Sequence, residues 1–238
     1  MPQITRAQLA LGERLVVALD LADLDAVNRL VATLIPLQPI FKFGYHNLFS
    51  GGLALAHDLA RQGVKIFLDA KLHDIPNTVE GGTRALAQQG FWCLTAHATA
   101  QNIVGAVAGA RGTDLRILAV TVLTSMTQAD LALDAITAAP QDQVLRRAGQ
   151  ALDAGAAGLI ASPLEVAALR AAYGASPLIL TPGVRPSGSE IGDQARVMTP
   201  AHAMAAGADA LVIGRPIIAA ANPLDAAKAI LDEIHATL

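Results

Sequence analysis

The chain has 238 residues and a net charge of −3, with 53% hydrophobic and 16% charged residues and a mean hydropathy of +0.44. That length fits one large domain or two small ones, and an isoelectric point near 6.0 leaves no global positive field to draw nucleic acid or a membrane surface. No run approaches the ~18 apolar residues of a membrane span, and the lone Cys93 excludes an internal disulfide and a thiolate metal cluster.

The N-terminal stretch MPQITRAQLALGERL lacks the charged-then-apolar order of a signal peptide, so a soluble cytoplasmic protein is expected. From there, short apolar or β-branched runs alternate with Ala-rich amphipathic segments. The first pair is a predicted strand at Arg14–Asp20 and a helix at Leu24–Ile35, followed by Ile40–Tyr45 with Leu53–Gln62 and Lys65–Lys71 with Thr78–Gln89. Next come Phe91–His97 with Ile103–Ala110, Leu115–Thr124 with Gln143–Ala154, and Gly158–Ser162 with Leu164–Ala172. The last pairs are Leu178–Val184 with Pro200–Ala206 and Ala210–Gly214 with Leu224–Ile234. Gly63, Gly90, Gly155, Gly174 and Gly207 stand where these helices should close before the next strand. Near-continuous apolar strands joined by helices imply a parallel sheet covered on both faces. Eight such units of about 30 residues are the arithmetic of a (β/α)8 TIM barrel, one domain spanning 1–238. A doubly wound sheet is the competing arrangement, but no GxGxxG turn follows the first strand.

Barrels of this kind carry their active sites at the C-terminal ends of the strands. Those ends read Asp20, Lys42, Asp69 with Lys71, His97, Thr124, Ser162, Arg185 and Arg215. All but the sixth present a group able to ionise, donate or accept in a demanding way, whereas the opposite ends start mostly with neutral or solvent-type residues. A packed scaffold does not need that asymmetry, so an enzyme is expected. Of the 17 basic residues only Lys42, Lys65, Lys71 and Lys228 are lysines. An Arg-preferring chain has reason to keep Lys where a proton must be given or taken near neutral pH, and Lys42 and Lys71 both sit late in strands.

Within FLDAKLHDIPNTV (67–79), Asp69 and Lys71 are two apart and project to the same side of a strand. Asp74 follows in the loop, and Lys42 on the neighbouring strand completes an alternating Lys–Asp–Lys–Asp array, in which contact between opposite charges keeps each member ionised. A purely structural ion-pair network is a weak stabiliser beside apolar packing. A Schiff-base aldolase with Lys71 as nucleophile wants an apolar or cationic neighbourhood rather than carboxylates. A metal site built on Asp69, His73 and Asp74 has few ligands and lysines among them, and no HxH or HExxH occurs. His73 reads as a loop residue and His97 as a packed polar one. A second anchor lies in TPGVRPSGSEIGDQARVMTP (181–200) and ADALVIGRPI (209–218), where the loops after strands 7 and 8 of a barrel often hold a phosphate. Gly214 permits close backbone approach and Arg215 offers a two-pronged donor. The glycine- and serine-rich loop at about 185–198, with Arg185 and Gln194, fits a lid.

Taken together, ALD (18–20), KFG (42–44), FLDAKLHDIPNTV (67–79), VTVLTS (120–125), TPGVRP (181–186) and VIGRPI (212–217) resemble the orotidine 5′-phosphate decarboxylase family, in the family's order and from the first strand to the last. The resemblance implies decarboxylation of orotidine 5′-monophosphate to UMP, the last step of de novo pyrimidine synthesis, with neither metal nor organic cofactor. It further implies that Asp69 lies against the substrate carboxylate and that Lys71 delivers a proton to the carbon that CO2 leaves. Asp20 and Lys42 then bind the ribose hydroxyls, and Thr124 binds the pyrimidine. Gln194, Gly214 and Arg215 hold the phosphate, with Arg185 at the lid. Asp74 and Thr78 reach into the active site of the neighbouring subunit of a homodimer, and Ile75 is a further substrate-binding residue. The alternative on the same barrel is a Mg-dependent decarboxylase or aldolase-type synthase acting on a sugar phosphate, which shares DxKxxD but not the IPNT continuation. A phosphate-ligand-binding barrel without catalysis is disfavoured by the intact charged array.

Overall fold

In the computed structural model, which describes residues 8–186 and 198–238, eight parallel strands pair in chain order and the eighth closes on the first. They are β1 (Leu15–Ala18), β2 (Ile40–Phe43), β3 (Ile66–Leu72), β4 (Cys93–His97), β5 (Arg116–Val120), β6 (Gly158–Ile160), β7 (Leu178–Pro182) and β8 (Ala210–Ile213). Between and after them run α1 (Leu24–Leu34), α2 (Tyr45–Asn47), α3 (Leu53–Arg61), α4 (Pro76–Ala87), α5 (Ala100–Gly109), α6 (Gln128–Leu133), α7 (Pro140–Asp153), α8 (Val166–Tyr173), α9 (Pro200–Ala205), α10 (Arg215–Ile218) and α11 (Pro223–His235). The expected (β/α)8 TIM barrel is the fold.

Strand alternation builds two cores from one sheet. Val16, Ile40, Phe67, Cys93, Leu118, Leu180 and Val212 fill the barrel interior. Their neighbours Val17, Phe41, Leu68, Leu94, Ile117, Ile179 and Leu211 pack outward against helix residues such as Val27, Val31 and Leu34. Burying each large apolar side chain contributes about 1.5–3 kcal/mol, which is why runs apolar at both alternating positions make stable strands here. Helix starts are chemically marked: the Asp23 carboxylate accepts from Asp25 N at 2.9 Å before α1, and Pro opens α4, α7, α9 and α11. All five glycines expected to close helices adopt positive φ. Among the described residues no helix is long and apolar enough to cross a membrane.

Two differences from the sequence reading bear on function. First, most strands end earlier than expected, because a parallel ladder stops where either neighbour turns away towards its helix. Asp20, Thr124 and Arg185 therefore lie in the connections beyond β1, β5 and β7, and Arg215 is the first residue of α10. Second, α6 was not foreseen, although its capping box was legible: the Thr127 hydroxyl accepts from Asp130 N, and the Asp130 carboxylate accepts from Thr127 N at 2.7 Å. The segments flanking the expected lid meet as an isolated parallel bridge between Val184 and Met198. Gln194 and most of the 185–198 loop lie outside the described residues.

Candidate active site

A cavity of about 600 Å³ opens at the C-terminal ends of the strands. Its floor is apolar, from Ala18, Phe67, Val120, Ile160 and Val212, and its rim carries Asp20, Lys42, Asp69, Lys71, Thr124, Arg185, Gly214 and Arg215. The tertiary structure thus gathers predicted site residues from β1, β2, β3, β5, β7 and β8 or the connections beyond them.

The charged segment sits on an irregular strand. Phe67 pairs with Cys93 and Leu68 with Leu94, but the next aligned pair is Leu72 with Ala96, so β3 spends four residues where β4 spends two. Lys71 takes up the irregularity with φ of +44°, the left-handed region that a side-chain-bearing residue enters at a cost of roughly 1–3 kcal/mol. Bulges of this kind re-aim side chains beside active sites. Here both Asp69 and Lys71 reach the cavity.

Four ionised groups form a chain on one wall. Lys42 Nζ lies 3.3 Å from Asp20 Oδ1 and 3.3 Å from Asp69 Oδ2, and Lys71 Nζ lies 2.8 Å from the same Asp69 oxygen. Lys42 and Asp69 are each only 8% exposed. Burial opposes the charge on Asp69. The ammonium groups of Lys42 and Lys71, with hydrogen bonds from Lys71 and Thr95, outweigh it and hold the Asp69 carboxyl below its ordinary value. Within one subunit the alternating series is therefore Asp20–Lys42–Asp69–Lys71, with Asp20 in the terminal place that the sequence reading gave to Asp74. Asp74 is exposed and accepts a hydrogen bond from Ile75 N at 2.6 Å, while Ile75 and Thr78 are exposed beside it. None of these three lines the cavity.

Several groups that no sequence pattern marks position the site. The Asn47 side-chain amide donates to Leu19 O and Leu21 O, bracketing Asp20, and its carbonyl accepts from Gly44 N at 3.3 Å. The Asn102 amide donates to Leu72 O at 2.6 Å and His97 O at 2.8 Å, tying together the ends of β3 and β4. Lys71 Nζ stands 5.6 Å from the centroid of the Tyr45 ring, a cation–π contact, and the Tyr45 hydroxyl donates to Ala70 O at 3.2 Å. Tyr45 directly follows the KFG motif, so its position was the one available signal. The two Asn residues act through backbone contacts that no local pattern encodes. His73 and His97 face each other with ring centroids 5.1 Å apart, and neither lines the cavity. Burial, then His73, Lys71 and Arg147, push the His97 imidazole below its ordinary value. Among the described residues no three His, Cys, Asp or Glu side chains gather where they would hold a metal ion.

On the rim, Arg185 is 9% exposed, and its guanidinium donates to Val184 O at 2.8 Å. Gly214 and Arg215 stand where β8 gives way to α10. A Cβ placed on Gly214 would make only ordinary contacts, with Ala18 and Asp20 at 3.4 Å or more, so the protein itself does not demand glycine there.

Residues 13–230 match the family described as Orotidine 5′-phosphate decarboxylase / HUMPS. An orotidine 5′-phosphate decarboxylase of Afipia carboxidovorans is 51% identical over 222 residues, covering 93% of this chain and 94% of the relative. That of Bradyrhizobium diazoefficiens is 46% identical over 235 residues, covering 99% and 98%. The crystal structure of an orotidine 5′-phosphate decarboxylase from Lactobacillus acidophilus superposes with a TM-score of 0.82 at 38% identity, covering 92% of this chain and 98% of that one. With agreement in sequence over nearly the full length and in barrel geometry, the chain belongs to the orotidine 5′-phosphate decarboxylase / HUMPS family.

Proposed function

We propose that this protein decarboxylates orotidine 5′-monophosphate to UMP and CO2 without metal or organic cofactor, and that it works as a homodimer in the cytoplasm. The observation that carries the reading is the Asp20–Lys42–Asp69–Lys71 chain on the wall of a cavity whose rim also bears Gly214 and Arg215. Loss of CO2 leaves a carbanion at a ring carbon that has no electron sink, so the protein must supply the stabilisation electrostatically. Lys71 places an ammonium beside that carbon. Its attraction grows as CO2 departs, and it then hands over the proton that forms the C–H bond. Asp69 faces the substrate carboxylate and holds both lysines in register. Lys42 and Asp20 bind the ribose hydroxyls, and Thr124 binds the pyrimidine. Gln194, Gly214 and Arg215 grip the phosphate, with Arg185 at the base of a lid formed by the 185–198 loop. Binding energy from that remote grip is available to offset strain at the ring.

Asp74 and Thr78 serve the active site of the neighbouring subunit, and Ile75 between them binds substrate. Their exposure beside the mouth supports this, as do the exposed apolar side chains of Ile75 (65%) and Phe49 (81%), which a partner surface would cover. The direct test is purified protein with orotidine 5′-monophosphate in excess EDTA, followed by loss of the orotate absorbance. Turnover is expected at undiminished rate. No turnover, or turnover only after Mg is added, sinks the cofactor-free reading.

A further inference from the structure

Behind the ion-pair chain stands a residue that never reaches the cavity. Thr95, in the middle of β4, is fully buried, at 0% exposure. Its hydroxyl donates to Asp69 Oδ1 at 3.0 Å and accepts from Lys71 N at 3.0 Å. A hydroxyl has one proton and two lone pairs, so a single group satisfies both partners. With Oδ1 occupied, Asp69 turns Oδ2 to both ammonium groups, at 2.8 Å and 3.3 Å. The second bond acts on the backbone: Lys71 is the residue with φ of +44°, and its N–H is satisfied by a side chain of β4 across the register shift. Thr181 in β7 makes a useful contrast. It is equally buried, but its hydroxyl has no partner among the described residues, so burial alone does not commit a threonine hydroxyl to these bonds.

We propose that Thr95 is a positioning residue for the decarboxylation: its hydroxyl sets the Asp69 carboxylate and the Lys71 backbone in one geometry, from which the Lys71 ammonium delivers its proton. This presupposes the decarboxylase reading of the cavity. Valine has the same shape and neither bond, whereas serine keeps both.

The test compares T95V and T95S in the full-length protein, with fold checked by circular dichroism. T95V should lose on the order of 100-fold in kcat, the scale expected when reacting groups drift from their working geometry. KM should change far less, because the phosphate contacts are untouched. T95S should recover most of the activity. Hydrogen-bond donation to a carboxylate favours its ionised form, so the Asp69 titration followed by carboxylate NMR should move to higher pH in T95V and stay in place in T95S. A merely structural threonine would leave that titration where it is. T95V with wild-type kcat and an unmoved Asp69 titration overturns the proposal. If T95V does not fold, T95A takes its place, and T95A matching T95S in both measurements is equally fatal. Absence of turnover in the wild-type protein would instead break the decarboxylase reading, and the NMR comparison would still decide whether Thr95 orients Asp69.

Discussion

The two ends of the barrel use charge in opposite ways. At the N-terminal end, Arg14 and Asp209 are buried and Arg116 partly so, yet each is tied to the chain itself. Arg14 donates to Asp209 O at 3.5 Å, Arg116 donates to Trp92 O at 3.3 Å and lies over the Trp92 ring, and the Asp209 carboxylate accepts from Arg170 and from Ile179 N. Arg170 reaches on to Gly207 O and Pro177 O. These charges stitch loops to strand starts. At the C-terminal end, Lys42, Asp69 and Lys71 bond chiefly to one another and face an open cavity. Strand starts are expected to be mostly neutral or solvent-type, and Arg14, Arg116 and Asp209 there are charged but buried or partly buried. At the N-terminal end the buried charges are tied to backbone groups and to one another in separate pairs, Arg170 with Asp209 and Lys65 with Glu13, whereas at the C-terminal end four charges run as one continuous series along the wall of the larger cavity.

That division can be broken at either end. The largest effect is expected from K71A, which should cut turnover of orotidine 5′-monophosphate by on the order of 10⁴-fold, the upper range for loss of a positioned proton donor, while the folded protein still binds phosphate ligands. Mixing K71A with D74A should restore some activity in verified mixed dimers, since one site would then draw both intact groups from different subunits. No recovery would count against Asp74 acting across an interface. D209A tests the other end. Stripping a fully buried carboxylate from Arg170 should cost about 3 kcal/mol, read from the midpoint of urea unfolding, with kcat of the folded fraction unchanged. A loss of kcat at full folding would mean that the ends are not separable. The smallest effect is expected from G44A, whose new Cβ would stand 3.0 Å from Lys42 Nζ and 3.5 Å from Asp20 Oδ1. The ammonium is the tip of a flexible side chain, so the fold should survive while kcat/KM drops about tenfold. Unchanged kcat/KM would show that the exact seat of Lys42 matters little.

Much of this was legible because the signals are local. Hydrophobic runs at each unit marked all eight strands, and glycine at five helix ends marked where those units close. Of the residues named from their places at strand ends, Asp20, Lys42, Asp69, Lys71, Thr124, Arg185 and Arg215 line the cavity, as does Gly214 from the phosphate segment, while His97 and Ser162 do not. Thr95 was passed over because a threonine in an apolar strand carries no local mark of the bonds it makes with residues 24 and 26 positions away. Asn47 and Asn102 were passed over for the same reason. The bulge in β3 was equally invisible, since IFLDAKL reads as a regular strand until it must align with CLTAH.

The amino-acid pattern by itself determined the barrel and the set of charged residues at its mouth, because period-two burial and helix-end chemistry act over a few neighbours. Only the tertiary structure decided how those charges are ordered. The distances that place Asp20 at the end of the series within one subunit depend on strand register, on the bulge that carries Lys71 into the left-handed region, and on hydrogen bonds between groups far apart in the chain. Electrostatic contact falls off over a few ångströms, and separations of that size are set by packing, not by spacing along the sequence.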